Sequence, residues 1–184
     1  LGLPWCPPEL REEPFAGAQV EAALRERGVD VRLETSVTAV SRNGIVRAEL
    51  DDGSSVEADD LLVAIGRTPR TRDLGLETVG LEPGRHVDVD ESLRVGDREW
   101  LYAIGDVNGR ALLTHMGKYQ ARLAADAILG KEVRLRSDGA ASPRVIFTEP
   151  QVGAVGLTLA GAEEAGLNVR SVDVETSGNA GGSF

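Results

Sequence analysis

The chain has 184 residues, enough for one domain or parts of two. Its 41% hydrophobic and 27% charged residues are those of an ordinary globular protein, and a formal net charge of −10 argues against a nucleic-acid surface, because a phosphate backbone repels such a chain. The single cysteine, Cys6, excludes an intrachain disulfide or a paired-cysteine relay, and no apolar run approaches the roughly 20 residues that span a bilayer.

The opening "LGLPWCPPELREEP" lacks a basic region followed by an apolar one, so it does not read as a secretion signal. It begins at Leu1 rather than Met, as an excerpt or a processed product would. A cytoplasmic location is expected, with Cys6 a free surface thiol. "FAGAQVEAALRERG" places Val20, Ala23, Leu24 and Arg27 at helical spacing, with Gly28 where a terminating glycine belongs. The period then changes. "VDVRLE" alternates, "SVTAVSR" leads into Asn43-Gly44, "IVRAEL" leads into Asp52-Gly53, and "SSVEADD" follows. Short strands joined by two such turns predict an antiparallel meander.

"LLVAIG", residues 61–66, is a continuous apolar run ending in glycine, the pattern of a strand buried on both faces. Residues 67–84 read as loop, "HVDVDESLRV" as strand and turn, and "WLYAIG" as a second buried strand. "THMGKYQARLAADAILG" predicts a helix with Met116, Tyr119, Leu123 and Ala127 as its apolar stripe and Gly130 as its stop. "KEVRLRSDG" reads as a solvated loop or edge, and "RSDGAASP", residues 136–143, as a linker. Beyond it come strands at "RVIFT" and "VGAVGL", a helix capped by Thr158 at "TLAGAEEAGL", a strand at "VRSVDVET" and a final loop, "SGNAGGSF".

The chemistry concentrates in "LYAIGDVNGRALLTH". A buried strand ending in Gly105-Asp106 sets a carboxylate at the carboxyl edge of a sheet, where ligands of open α/β sheets bind. Gly105 permits close approach of another backbone or a ligand. Ionised Asp106 can only accept hydrogen bonds, so it suits a polyol hydroxyl rather than a phosphate. A carboxylate that merely caps its own loop is the plainer alternative on composition alone. The helix start at Leu113, Thr114 and His115 offers unpaired backbone N–H groups to a ligand that gathers negative charge. His115 is assigned a backbone role, with a surface or capping histidine as the alternative. Asp88, Asp90 and Glu91 read as a solvated edge, and His86 and His115 are too isolated for zinc, so no metal site is expected.

"LLVAIGRTPRTRDLGLETVGL", "LYAIGDVNG" and "VIFTEPQVGAVGLT" occur in order and together resemble the pyridine nucleotide-disulfide oxidoreductases: lipoamide dehydrogenase, glutathione reductase, mercuric reductase and their quinone-reducing relatives. The resemblance runs from about residue 9 to the end. It implies an α/β fold: part of a doubly wound FAD/NAD(P)-binding Rossmann-like sheet with an antiparallel meander, then the start of an α+β dimerisation domain. Residues 1–65 would be the C-terminal half of the NAD(P)-binding domain, 66–135 the returning segment of the FAD-binding domain, and 143–184 the opening of the dimerisation domain. Gly66 and Arg67 match the crossing back to the flavin domain near the nicotinamide and are expected among the cofactor-binding residues. Gly105 and Asp106 match the contact to the flavin ribityl chain, and Leu113, Thr114 and His115 match the helix start facing the isoalloxazine.

The implied parent is a homodimer that passes hydride from NADH or NADPH through FAD to a disulfide, quinone or metal acceptor. The family's two G-x-G-x-x-G turns, its redox cysteine pair and its late His-Glu pair are not found here, so no catalytic residue is expected in this chain and the chain alone is expected to be inactive. "RTPRT" replaces the usual Arg-x-Pro-Asn-Thr, and "LTHMGKYQAR" differs from the usual lipoamide dehydrogenase helix, which weighs against lipoamide as the acceptor. A truncated dimerising or nucleotide-binding module without cofactor is the alternative.

Overall fold

The computed structural model describes residues 12–175. The expectations for Cys6, for the rest of residues 1–11 and for "SGNAGGSF" lie outside them. Helix α1 (Pro14–Glu26) begins with a proline at its start, where the missing N–H costs no hydrogen bond. It ends at Gly28, whose φ of +83° lets Gly28 N and Val29 N reach back to Arg25 O and Leu24 O. Ala16 and Val20 are its buried residues.

The meander forms as three antiparallel strands, β1 (Val37–Asn43), β2 (Ile45–Leu50) and β3 (Ser55–Ala58), in the order β1-β2-β3. Both Gly turns close hairpins, with Gly44 at φ +79° and Gly53 at φ +82°. Only β2 alternates in burial: Val46 and Leu50 turn inward while β1 and β3 stay exposed. "VDVRLE" is not a strand; its backbone has no ladder partner among the described residues.

The buried strand expected at residues 61–66 is absent. Leu62 is 90% exposed, and Leu61, Val63 and Ile65 are also open. An apolar run forms a strand only when a neighbour takes its N–H and C=O groups, and no described segment pairs with this one. "HVDVDESLRV" and "WLYAIG" likewise form no regular strand. They fold on one another through a single bridge between Arg94 and Tyr102, with Val95 N donating to Leu101 O and Ala103 N to Leu93 O.

That pairing builds the core beneath the site. Val87, Val95 and Ala103 form one buried cluster, and Leu93, Ala124 and Leu135 form a second, with Val89 packed against both. Leu93 is 0% exposed yet sits at φ +69°, a strained region for a branched side chain. Asp90 holds it there: its Oδ1 accepts from Ser92 N, Ser92 Oγ and Arg94 N at 2.7–2.9 Å. Burial alone would raise the Asp90 carboxyl, but these bonds from Ser92 and Arg94 outweigh it and hold the group below its ordinary value of 3.8.

A depressed folded-state pKa adds stability that is complete above the unfolded value and lost as pH falls through the folded one. Between pH 6 and pH 3, the thermal midpoint of the wild type is therefore expected to fall more steeply than that of Asp90→Asn, with the divergence beginning near pH 4. Parallel curves would remove Asp90 from this role.

Helix α2 (Thr114–Ile128) buries Met116, Gln120 and Ala124, with Tyr119 and Leu123 packed against the second cluster. The stretch expected to be solvated contributes buried Leu135, whose N–H meets Glu91 O at 2.8 Å. The expected linker is ordered too: a short 3-10 turn spans Gly139–Ala141, Ser142 is buried, and Asp138 pairs with Arg110. Strands β4 (Arg144–Ile146) and β5 (Val152–Ala154) pair antiparallel. Helix α3 (Leu159–Glu164) is capped by the Thr158 side chain, which accepts from Gly161 N. "VRSVDVET" is open chain as far as residue 175 and exposed. Among the described residues no helix is long and apolar enough to cross a membrane.

Candidate functional site

Residues 103–115 run from the core to the head of α2. Gly105 turns the chain at φ +71° and opens a 3-10 turn, Gly105–Asn108, closed by Gly109 at φ +73°. This turn lies against α2. A Cβ on Gly117 would stand 3.4 Å from Gly105 Cα, so glycine at both positions lets the backbones approach. At Gly109 a Cβ would meet His86 Cγ at 2.7 Å, so a side chain there would force the His86 ring aside as well as strain a backbone at φ +73°.

A buried polar knot fixes the turn. Gln120 is 0% exposed, and its Oε1 accepts from Gly105 N at 2.7 Å and from Asn108 Nδ2 at 2.9 Å. Asn108 Nδ2 also donates to Ala103 O, and Asn108 Oδ1 accepts from Arg110 N, both at 3.0 Å. Neither Gln120 nor Asn108 is singled out in the sequence reading. The one available signal was a polar residue four positions after Met116, on the stripe expected to be apolar.

Held from beneath, Asp106 projects outward, its side chain 60% exposed. Its carboxylate is not spent on its own loop. Among the described residues it bonds only Arg67, whose Nη1 donates to Asp106 Oδ2 at 3.3 Å and to Leu112 O at 2.6 Å. Arg67, Asp106 and Leu112 share a cleft of about 390 Å³ with Thr68, Pro69, Arg70, Thr71, His86 and Val107. Buried Thr71 anchors the near wall: its Oγ1 donates to Arg85 O at 2.8 Å and accepts from Gly84 N at 3.0 Å.

The structure thus brings Arg67, Gly105 and Asp106 together and sets Leu113, Thr114 and His115 directly after the cleft wall at Leu112. Gly66 is exposed beside Arg67, with no atom where its Cβ would be. The helix start carries no side-chain cap at Leu113, leaving its first N–H groups without a side-chain partner. The His115 ring turns aside, with Nε2 2.7 Å from Pro143 O, so the residue ties α2 to the approach of β4. No group of three His, Cys, Asp or Glu placed to hold a metal occurs among the described residues.

Comparison with known proteins identifies the family. Residues 8–127 match the family described as pyridine nucleotide-disulphide oxidoreductase. The chain is 39% identical over 151 residues to a dihydrolipoyl dehydrogenase of Pseudomonas aeruginosa, covering 81% of this chain and 32% of that protein. It is 40% identical over 164 residues to a mercuric reductase of Streptomyces lividans, covering 85% and 34%. A solved structure, the HOCl-induced flavoprotein disulfide reductase RclA from Escherichia coli, superposes with a TM-score of 0.73 at 29% identity, covering 85% of this chain and 36% of that one. The chain spans about a third of the length of the curated relatives it matches. An α/β chain with these ordered motifs and these relatives belongs to the pyridine nucleotide-disulphide oxidoreductase family.

Proposed function

We propose that this chain is part of an FAD-dependent pyridine-nucleotide oxidoreductase and supplies the ribityl-binding wall of its flavin site. The observation that carries the reading is Asp106: an acceptor-only carboxylate, open to a cleft, in the turn whose connecting loop leads to the uncapped helix start at Leu113. A sugar-alcohol chain offers hydroxyl donors to such a group, and Asp106 Oδ1 has no donor of its own among the described residues. The residues therefore fit a flavin: Asp106 would hold the ribityl chain, and the amides at Leu113, Thr114 and His115 would face the ring edge that gathers negative charge. Bound flavin would supply hydride transfer between a nicotinamide and the acceptor. This chain would orient it through Asp106 and the helix start.

The division at about residue 65 and again between residues 135 and 143 belongs to this reading, as do the homodimer and the acceptor class of disulfide, quinone or metal. The exposed apolar run at residues 61–66 supports it as well, since in the whole protein that run would find the ladder neighbours it lacks here. Mercuric reductase and dihydrolipoyl dehydrogenase resemble this chain to nearly the same degree, so their names do not choose among acceptors.

The test is Asp106→Ala in the whole flavoprotein. Flavin affinity should fall about tenfold, the worth of one lost hydrogen bond to a charged acceptor, with the oligomeric state unchanged. Titration of apoprotein with FAD reads the first and sedimentation the second. Unchanged affinity overturns the assignment of Asp106.

A further inference from the structure

One arginine nitrogen in the cleft does two things at once. Arg67 Nη1 donates both to the Asp106 carboxylate and to Leu112 O. Asp106 lies in the Gly105–Asn108 turn and Leu112 near the far end of the loop that joins that turn to α2, and they are 39 and 45 residues from Arg67 in sequence. With both partners about 60% exposed, the ion pair adds little to stability. What it fixes is geometry: the direction of the carboxylate, and its spacing from the residue just before the helix start. It also occupies Oδ2 alone, so Oδ1 remains open to the cleft.

We infer that Arg67 is a positioning residue for the flavin, aiming Asp106 at the ribityl chain and tying that carboxylate to the approach of α2 without itself contacting the flavin. The inference deepens the reading of Asp106 given above and rests on it. The family resemblance counts Arg67 among the cofactor-binding residues; here its Nη1 is engaged by two protein oxygens, one of them at 2.6 Å, and a direct contact through the other nitrogens is the outcome that a double-mutant cycle separates from positioning. A group that acts through a second residue has a distinct signature: its removal matters only while that second residue is present.

The experiment is a double-mutant cycle in the whole flavoprotein, titrating apoprotein with FAD. Arg67→Gln should weaken FAD binding about five- to tenfold while the apoprotein Tm stays within about 2 °C. Arg67→Lys, which keeps the charge and the hydrogen-bond donors, should retain most of the affinity. In an Asp106→Ala background, Arg67→Gln should add less than about a twofold loss. Additive losses would overturn the inference, since they would mean an independent contact. So would wild-type affinity in Arg67→Gln beside a clear loss in Asp106→Ala, or a loss that lysine does not rescue and that tracks a fall in Tm. If Asp106→Ala itself binds FAD normally, the flavin assignment of the cleft fails instead, and the two failures are told apart by that single variant.

Discussion

Replacing Arg144 by methionine is expected to lower the unfolding free energy by about 3 kcal/mol, the scale of a buried charge left without its partner. Arg144 and Glu12 are only 10% and 14% exposed, and their forks meet squarely: Nε to Oε1 at 2.8 Å and Nη2 to Oε2 at 3.1 Å. Arg144 Nη1 is shared among Ala140 O, Ser142 O and Gly156 O at 3.2–3.4 Å. The bond to Glu12 raises the guanidinium pKa further, against an opposing effect of burial, so no accessible pH releases the pair from the arginine side.

The neighbouring glutamate works alongside. Glu13 Oε1 accepts from Leu159 N at 2.7 Å, satisfying a donor in the first turn of α3. Two residues ahead of α1 therefore hold β4 and α3 from more than 130 residues away. Arg144→Lys should recover little, because an ammonium cannot make the paired fork. Glu12→Leu combined with Arg144→Met should be more stable than Arg144→Met alone, because it removes the stranded carboxylate. Urea unfolding of the three variants reads these differences. A loss below about 1 kcal/mol for Arg144→Met would show that water already satisfies the pair.

That clamp shows where the sequence could and could not be read. Helices α1 and α2, both hairpin turns and the Thr158 cap are local: each depends on residues within a few positions, and each is legible. Residues 61–66 fail for the opposite reason. Their apolar pattern is that of an interior strand, but a strand is a relation between segments, and no described segment supplies the other half. At residues 86–104 the Asp90 turn folds the first expected strand back on itself at Leu93, and a second turn at residues 96–100 pairs its end with the start of the other. Glu12 and Glu13 look like part of a solvated acidic run, since nothing local announces partners at Arg144 and Leu159. The Gly-Asp step announces that the Asp106 carboxylate leaves its run and stands at a surface, which is where it lies. Its supporting residues were not legible, because glutamine and asparagine carry no periodic signal.

Gln120→Leu is expected to cost about 2 kcal/mol and to loosen the candidate site from below. Leucine nearly matches glutamine in size, so packing against Met116 and Ala124 changes little and the effect isolates the polar contacts. Two donors lose their acceptor. Gly105 N–H is left with none, whereas Asn108 Nδ2 keeps Ala103 O. Gln120 Nε2, buried and without a partner among the described residues, partly offsets this, since leucine removes that donor as well.

The net loss should therefore be smaller than for a fully satisfied glutamine, and it should be concentrated at Gly105. Amide exchange at Gly105 should accelerate well beyond the global change, while Leu93 and Ala124 follow global stability alone. Because Gly105 carries Asp106, the same variant in the whole flavoprotein should bind FAD more weakly, although Gln120 lies beneath the cleft rather than in it. Uniform exchange across the chain would place Gln120 in ordinary core packing; a selective rise at Gly105 would mark it as the support on which the carboxylate stands.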